Sequence, residues 1–167
     1  MKKRLNKKAQ EGPMGMSFGV IFAIFLIIVF IAAAFYGIRH FLQLSKCTQI
    51  GNFYDSLQRK VDEAFYSSSV ENVEFKINLP KEIEKVCFAN LSEPITNNED
   101  YEELIDFEFE DANVFLLPKE AACNMPYKKI NRLKMDEITK NNNPYCVEKS
   151  ENFKLTKKIY DKFVIIE

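Results

Sequence analysis

The stretch Ser17–Ile38, SFGVIFAIFLIIVFIAAAFYGI, carries no charged side chain. Five basic residues (Lys2, Lys3, Arg4, Lys7 and Lys8) precede it, and Arg39-His40 follows it. A helix rises about 1.5 Å per residue, so Phe18–Ile38 would cover roughly 30 Å, the thickness of a bilayer's hydrocarbon core. Its two glycines, Gly19 and Gly37, both lie near the ends. So uniform an apolar surface has no place in a small soluble domain. In lipid it is the expected surface, because a helix satisfies every backbone group internally. A secretory signal peptide is the rival reading, with Ala32-Ala33-Ala34 as its cleavage site. Against it, apolar residues continue through Phe35, Tyr36, Ile38, Phe41 and Leu42. The run is also longer than a signal peptide needs. An uncleaved transmembrane helix is therefore expected.

Charge sets the expected orientation. Beyond the span, Arg39 and Lys46 are the only nearby bases, so the amino terminus is expected in the cytoplasm and the remainder outside. Pro13 stands where the first turn of a helix tolerates proline. From Arg39 onward the chain has 18 Lys/Arg against 23 Asp/Glu. An acidic domain does not suit nucleic acid, whose phosphates call for a basic surface.

Past the span, Ile50, Phe53, Tyr54, Leu57, Val61, Ala64 and Phe65 recur in steps of three and four, which is one face of a helix. Asp55, Arg59, Lys60 and Asp62 take the other face. This predicts a helix over Gln49–Tyr66, ending at Ser67-Ser68-Ser69. It is either continuous with the span or broken near Ser45–Gly51, and its apolar stripe is expected to pack under a sheet. Val73–Leu79 then alternates apolar with polar and stops at Pro80, a half-buried strand. Lys85–Ala89, Ile105–Glu110, Asn113–Leu117 and Phe163–Ile166 also read as strands. Weaker candidates are Ile130–Met135, Tyr145–Lys149 and Asn152–Thr156. Leu91–Asp100 and Lys140–Pro144 read as loops. Short connections between strands imply an antiparallel sheet or small sandwich. The expected fold is α+β: a basic cytoplasmic tail (1–16), a transmembrane helix (17–38), a juxtamembrane amphipathic helix (39–69) and a small extracytoplasmic β-rich domain (70–167).

Four cysteines, Cys47, Cys87, Cys123 and Cys146, are widely spaced, with no C-x-x-C. With His40 the sole histidine, a zinc site does not follow. An even number of cysteines outside the cytoplasm predicts two disulfides. Sequence alone allows three connectivities; the pairing expected here is Cys47–Cys87 and Cys123–Cys146. Asn90-Leu91-Ser92 is a glycosylation sequon in a loop on the expected outer side. Eight acids lie between Glu99 and Asp111 without a base among them. A calcium loop would space its carboxylates as D-x-D-x-D-G; that pattern is absent, so a solvated face is expected.

Nothing in the sequence points to an enzyme. A histidine-based triad needs a His beside the nucleophile, and His40 lies at the membrane edge. There is no glycine-rich phosphate loop and no G-x-S-x-G. No catalytic residue, metal or cofactor is therefore expected. The expected partner is the lipid bilayer, with self-association or another envelope protein as further partners.

The order of these parts resembles type IV pilins and related archaeal pilin-like proteins. The shared features are a basic leader ending in Lys7-Lys8-Ala9-Gln10, an apolar helix running into an amphipathic one, and a disulfide-bearing β-rich head. The resemblance implies prepilin-peptidase cleavage after Ala9, leaving Gln10 first, and packing of the apolar helix in a filament core. In pilins the apolar stretch begins almost at the cut and carries Glu at its fifth position; here Glu11 would be second, with Gly12-Pro13 ahead of the span. The chain also resembles archaeal single-span proteins with a basic tail, a Met16–Gly19-type span opening and a cysteine-bearing outer domain.

Overall fold

A computed structural model of the chain describes residues 18–167. The basic tail, Pro13 and the Ala9-Gln10 junction lie outside the described residues. The fold is α+β, a long helix followed by two small antiparallel sheets. Two compact units divide at Leu42/Gln43.

Helix α1 spans Phe18–Tyr66 without interruption; Ser45–Gly51, where a break was an alternative, is helical. From Phe18 to Ser45 every residue is exposed. Beyond that point the expected stripe is buried, with Ile50, Phe53, Tyr54, Leu57, Val61 and Ala64 all inside the core. Phe65 packs at its margin. The helix ends at the serines: the Ser67 hydroxyl donates to the Glu63 carbonyl at 2.8 Å. The Lys157 ammonium donates to the carbonyls of Phe65 (2.6 Å) and Ser67 (2.7 Å). Helix C-termini leave carbonyls unsatisfied and carry partial negative charge, so a lysine from a distant strand completes this one.

Seven strands follow: β1 Val70–Phe75, β2 Lys85–Phe88, β3 Val114–Leu117, β4 Tyr127–Lys128, β5 Tyr145–Glu148, β6 Phe153–Lys157 and β7 Ile165–Ile166. One sheet has the order β1-β6-β7 and the other β4-β3-β2-β5. β2 and β3 are apolar on both faces because both faces are covered. Val86, Phe88, Val114 and Leu116 join the α1 stripe and the first sheet in one core. Cys87, Ala89, Phe115 and Leu117 point the other way and form a second core with Leu104. Side chains alternate across a strand, so one pair of strands serves both.

The strand expected at Val73–Leu79 pairs only over Val70–Phe75, with a bulge between Val70 and Val73 where Asn72 takes φ 51°. Asn is among the residues that tolerate this region. Its apolar alternation describes burial from Phe75 on, with Phe75, Ile77 and Leu79 facing inward, whereas Val73 before them is exposed. Ile105–Glu110 is not a strand. Helix α2 (Asn98–Leu104) runs into a 3-10 turn at Ile105–Phe107. Leu104 and Phe107, three apart, cover the second core, whereas Ile105 and Phe109 remain exposed. The helical spacing across Leu104 prevailed over the period-two pattern that begins one residue later. Ile130–Met135 contributes only a single parallel bridge, Leu133 to Val164, before helix α3 at Met135–Ile138.

Candidate functional site

Two features of the chain bear on function: the exposed apolar part of α1 and the cross-linked Gln43–Glu167 unit. Part of α1 is long and apolar enough to cross a membrane, and none of its most apolar window is buried within the protein. Large side chains such as Phe25, Ile28, Phe30 and Phe35 are all exposed. Burial of apolar surface contributes about 25 cal/mol per Å², so exposing this much of it to water would be strongly unfavourable. His40 lies at the polar end of this stretch, its ring 6.5 Å from that of Tyr36.

All four cysteines are disulfide-bonded, but not in the expected pairs. The bonds are Cys47–Cys123 and Cys87–Cys146. Strand alternation explains the correction. Val86 and Phe88 face the core containing α1, so Cys87 between them faces away and cannot reach Cys47. It lies directly opposite Cys146 on β5, with a Cα–Cα distance of 4.0 Å. Cys47 sits one turn before the buried stripe and joins the loop after the 3-10 turn Lys119–Ala121. There Cys123 and Asn124 both have positive φ, 53° and 60°.

Asn90 is half-buried at the edge of a hollow of about 240 Å³ that Ser92 also lines. Its Oδ1 accepts from the Ser92 amide at 3.3 Å. Its backbone is held by Asn143, a residue that sequence reading assigned only to a loop. Asn143 is 2% exposed. Its side chain accepts from the Asn90 amide (3.2 Å) and donates to the carbonyls of Asn90 (2.8 Å) and Pro94 (3.2 Å). Its amide donates to the Thr96 hydroxyl at 2.7 Å, and its carbonyl accepts from the amides of Thr96 and Asn97. One buried amide thus satisfies a loop that has no sheet partner. The asparagine run before Pro144 reads as a loop, and nothing local in it indicates a hub.

Lysines hold three of the acids between Glu99 and Asp111. Lys85 donates to Asp100 at 2.7 Å, and Asn97 donates to the same carboxylate at 2.8 Å. The Asp100 hydrogen bond holds the Lys85 ammonium above its ordinary pKa. Lys119 pairs with Asp106, and Lys129 with Asp111. Among the described residues no group of three or more His, Cys, Asp or Glu is placed to hold a metal. Tyr54 is buried against the sheets and donates to the Met125 carbonyl at 3.1 Å. Burial pushes its phenol far above the ordinary range. Arg132 packs over the rings of Phe65 and Tyr66, 4.7 Å from each centroid, and donates to Asp62 at 2.6 Å.

Comparison with protein-family models, with curated proteins and with solved structures finds no match in any of the three. The functional reading therefore rests on the residues themselves.

Proposed function

We propose that the chain is a single-pass membrane protein that presents a disulfide-stapled domain on the outer face of the membrane and acts by binding, not catalysis. The observation that carries this reading is the occurrence of two disulfides together with a helix whose apolar window is exposed among the described residues. Disulfides persist in oxidising compartments. The five bases ahead of the span argue for a cytoplasmic amino terminus, which puts the cysteines outside. The non-enzymatic reading is supported by the sequence, which has His40 as its sole histidine and neither a glycine-rich phosphate loop nor a G-x-S-x-G. On this topology Asn90 is available to a glycosyltransferase.

The test is the intact mass of the protein extracted from membranes without reduction. The proposal predicts a chain beginning at Met1 or Lys2 and lacking the hydrogens of two disulfides, with any glycan confined to Asn90. A chain beginning at Phe35 would make the run a signal peptide. Four free thiols would place the domain in a reducing compartment.

The second reading is a pilin-like subunit. It is favoured by the single helix that joins an apolar segment to an amphipathic one packed beneath antiparallel strands. It predicts a mature chain beginning at Gln10, which the same mass distinguishes.

A further inference from the structure

In the Gln43–Glu167 unit, five of the eight large apolar side chains left exposed gather in two segments. One is the β6–β7 connection, with Ile159 70% exposed, Tyr160 95% and Phe163 44%. The other follows α2, with Ile105 50% exposed and Phe109 97%. Exposed apolar groups of this kind, rimmed by charge, mark interaction surfaces. The two rims have opposite sign. Lys158 and Lys162 flank the first, and neither has a carboxylate partner among the described residues. Asp161 within it is within 4.0 Å of Lys134. Glu99, Glu102, Glu103 and Glu108 rim the second and are likewise without a basic partner among the described residues. The segments also belong to different layers. β6 and β7 line the core shared with α1, whereas α2 and its 3-10 turn cover the opposite face of β2 and β3.

We infer that the basic-aromatic β6–β7 connection of one copy docks on the acidic segment Glu99–Asp111 of a second copy. Two different surfaces meet, so the contact is heterologous and leaves each copy with one free surface of each kind for further copies. Opposite charges would set the register and speed of encounter, and the aromatic side chains would supply the buried area. The inference does not depend on which side of the membrane the domain occupies.

The test uses the full chain in nanodiscs, mixing an isotopically heavy with a light preparation, followed by carbodiimide coupling of lysine to carboxylate. The expected product joins Lys158 or Lys162 of one isotope to the Glu99–Asp111 segment of the other. Its yield should fall about tenfold in 0.5 M salt, where charges are screened beyond a few ångströms. The double variant Lys158→Glu/Lys162→Glu should lose the product, as should Glu102→Lys/Glu103→Lys. Mixing the two variants should restore coupling between copies, an outcome that misfolding of either could not give. Failure of the mixture to restore it, or coupling only within one isotope, overturns the inference. So does an effect of the lysine variants that depends on anionic lipid without any coupling between copies, since that assigns the loop to a lipid surface.

Discussion

The two ends of helix α1 share one secondary structure and bury their apolar residues in different ways. Between Phe18 and Leu44 large apolar residues occupy every side and all are exposed. Between Ile50 and Ala64 they occupy one stripe and all are buried. Charge already separates the two, since Phe18–Ile38 carries none while Asp55, Arg59, Lys60, Asp62 and Glu63 lie between Ile50 and Ala64. The angular distribution gives the physical reason: a helix apolar all round needs an apolar surrounding, while a one-sided helix needs only a sheet to lie against. The same difference fixes what a mutation costs. In the stripe each side chain has a shaped cavity around it; in the exposed run the surroundings are whatever solvent the helix is placed in.

The largest effect expected from breaking this contrast is a charge in the stripe. Leu57 is fully buried, so Leu57→Asp should unfold the stapled domain, a loss above about 4 kcal/mol, because an unpaired buried charge has no compensation. Membrane association of the chain should persist, and carbonate extraction combined with limited proteolysis would show both. Second is removal of the cross-strand disulfide by Cys87→Ser/Cys146→Ser. Loop closure over a separation of 59 residues implies a destabilisation of about 4 kcal/mol, read by urea titration. Third is Ile28→Arg at the middle of the apolar run. The cost there should be about 3 kcal/mol, and it should appear in insertion rather than in the melting of the domain. Truncation sharpens the comparison further. Leu57→Ala should cost about 2–5 kcal/mol of domain stability through the cavity it leaves, while Ile28→Ala should leave that stability unchanged.

The smallest effect is a pH dependence. The folded-state pKa of Tyr54 is raised by burial. Its contribution to stability is therefore complete below the unfolded value of about 10 and declines as pH rises above it, since only the unfolded chain readily loses the proton. Tyr54→Phe should flatten the alkaline arm of the stability curve. An unchanged arm would mean that other groups control it.

Periodicity made much of this legible in the sequence. The exposed apolar run follows from its length without charge, the α1 stripe from steps of three and four, and Val86–Phe88 and Val114–Leu117 from apolar strands bounded by turns. The failures share a cause: each depended on which face a residue presents to a distant element. Pairing of Cys87 with Cys47 is the sequence expectation, but the Cys87 side chain points to the far face of a strand whose Val86 and Phe88 line the α1 core. Ile105–Glu110 alternates like a strand, yet Leu104 just before it anchors a helix instead. Asn143 and Lys157 satisfy backbone groups 53 and 92 residues away, and no local pattern encodes a partner at that separation.

The central claim is that one helix crosses the membrane with its basic end inside and the stapled domain outside. Intact cells treated with a membrane-impermeant amine reagent, followed by peptide mapping, test it most directly. Labelling of exposed Lys81, Lys140 and Lys162 before lysis, with any Lys2, Lys3, Lys7 and Lys8 modified only after it, is the predicted result. Labelling of the amino-terminal lysines in intact cells, with the domain lysines protected until lysis, would contradict it.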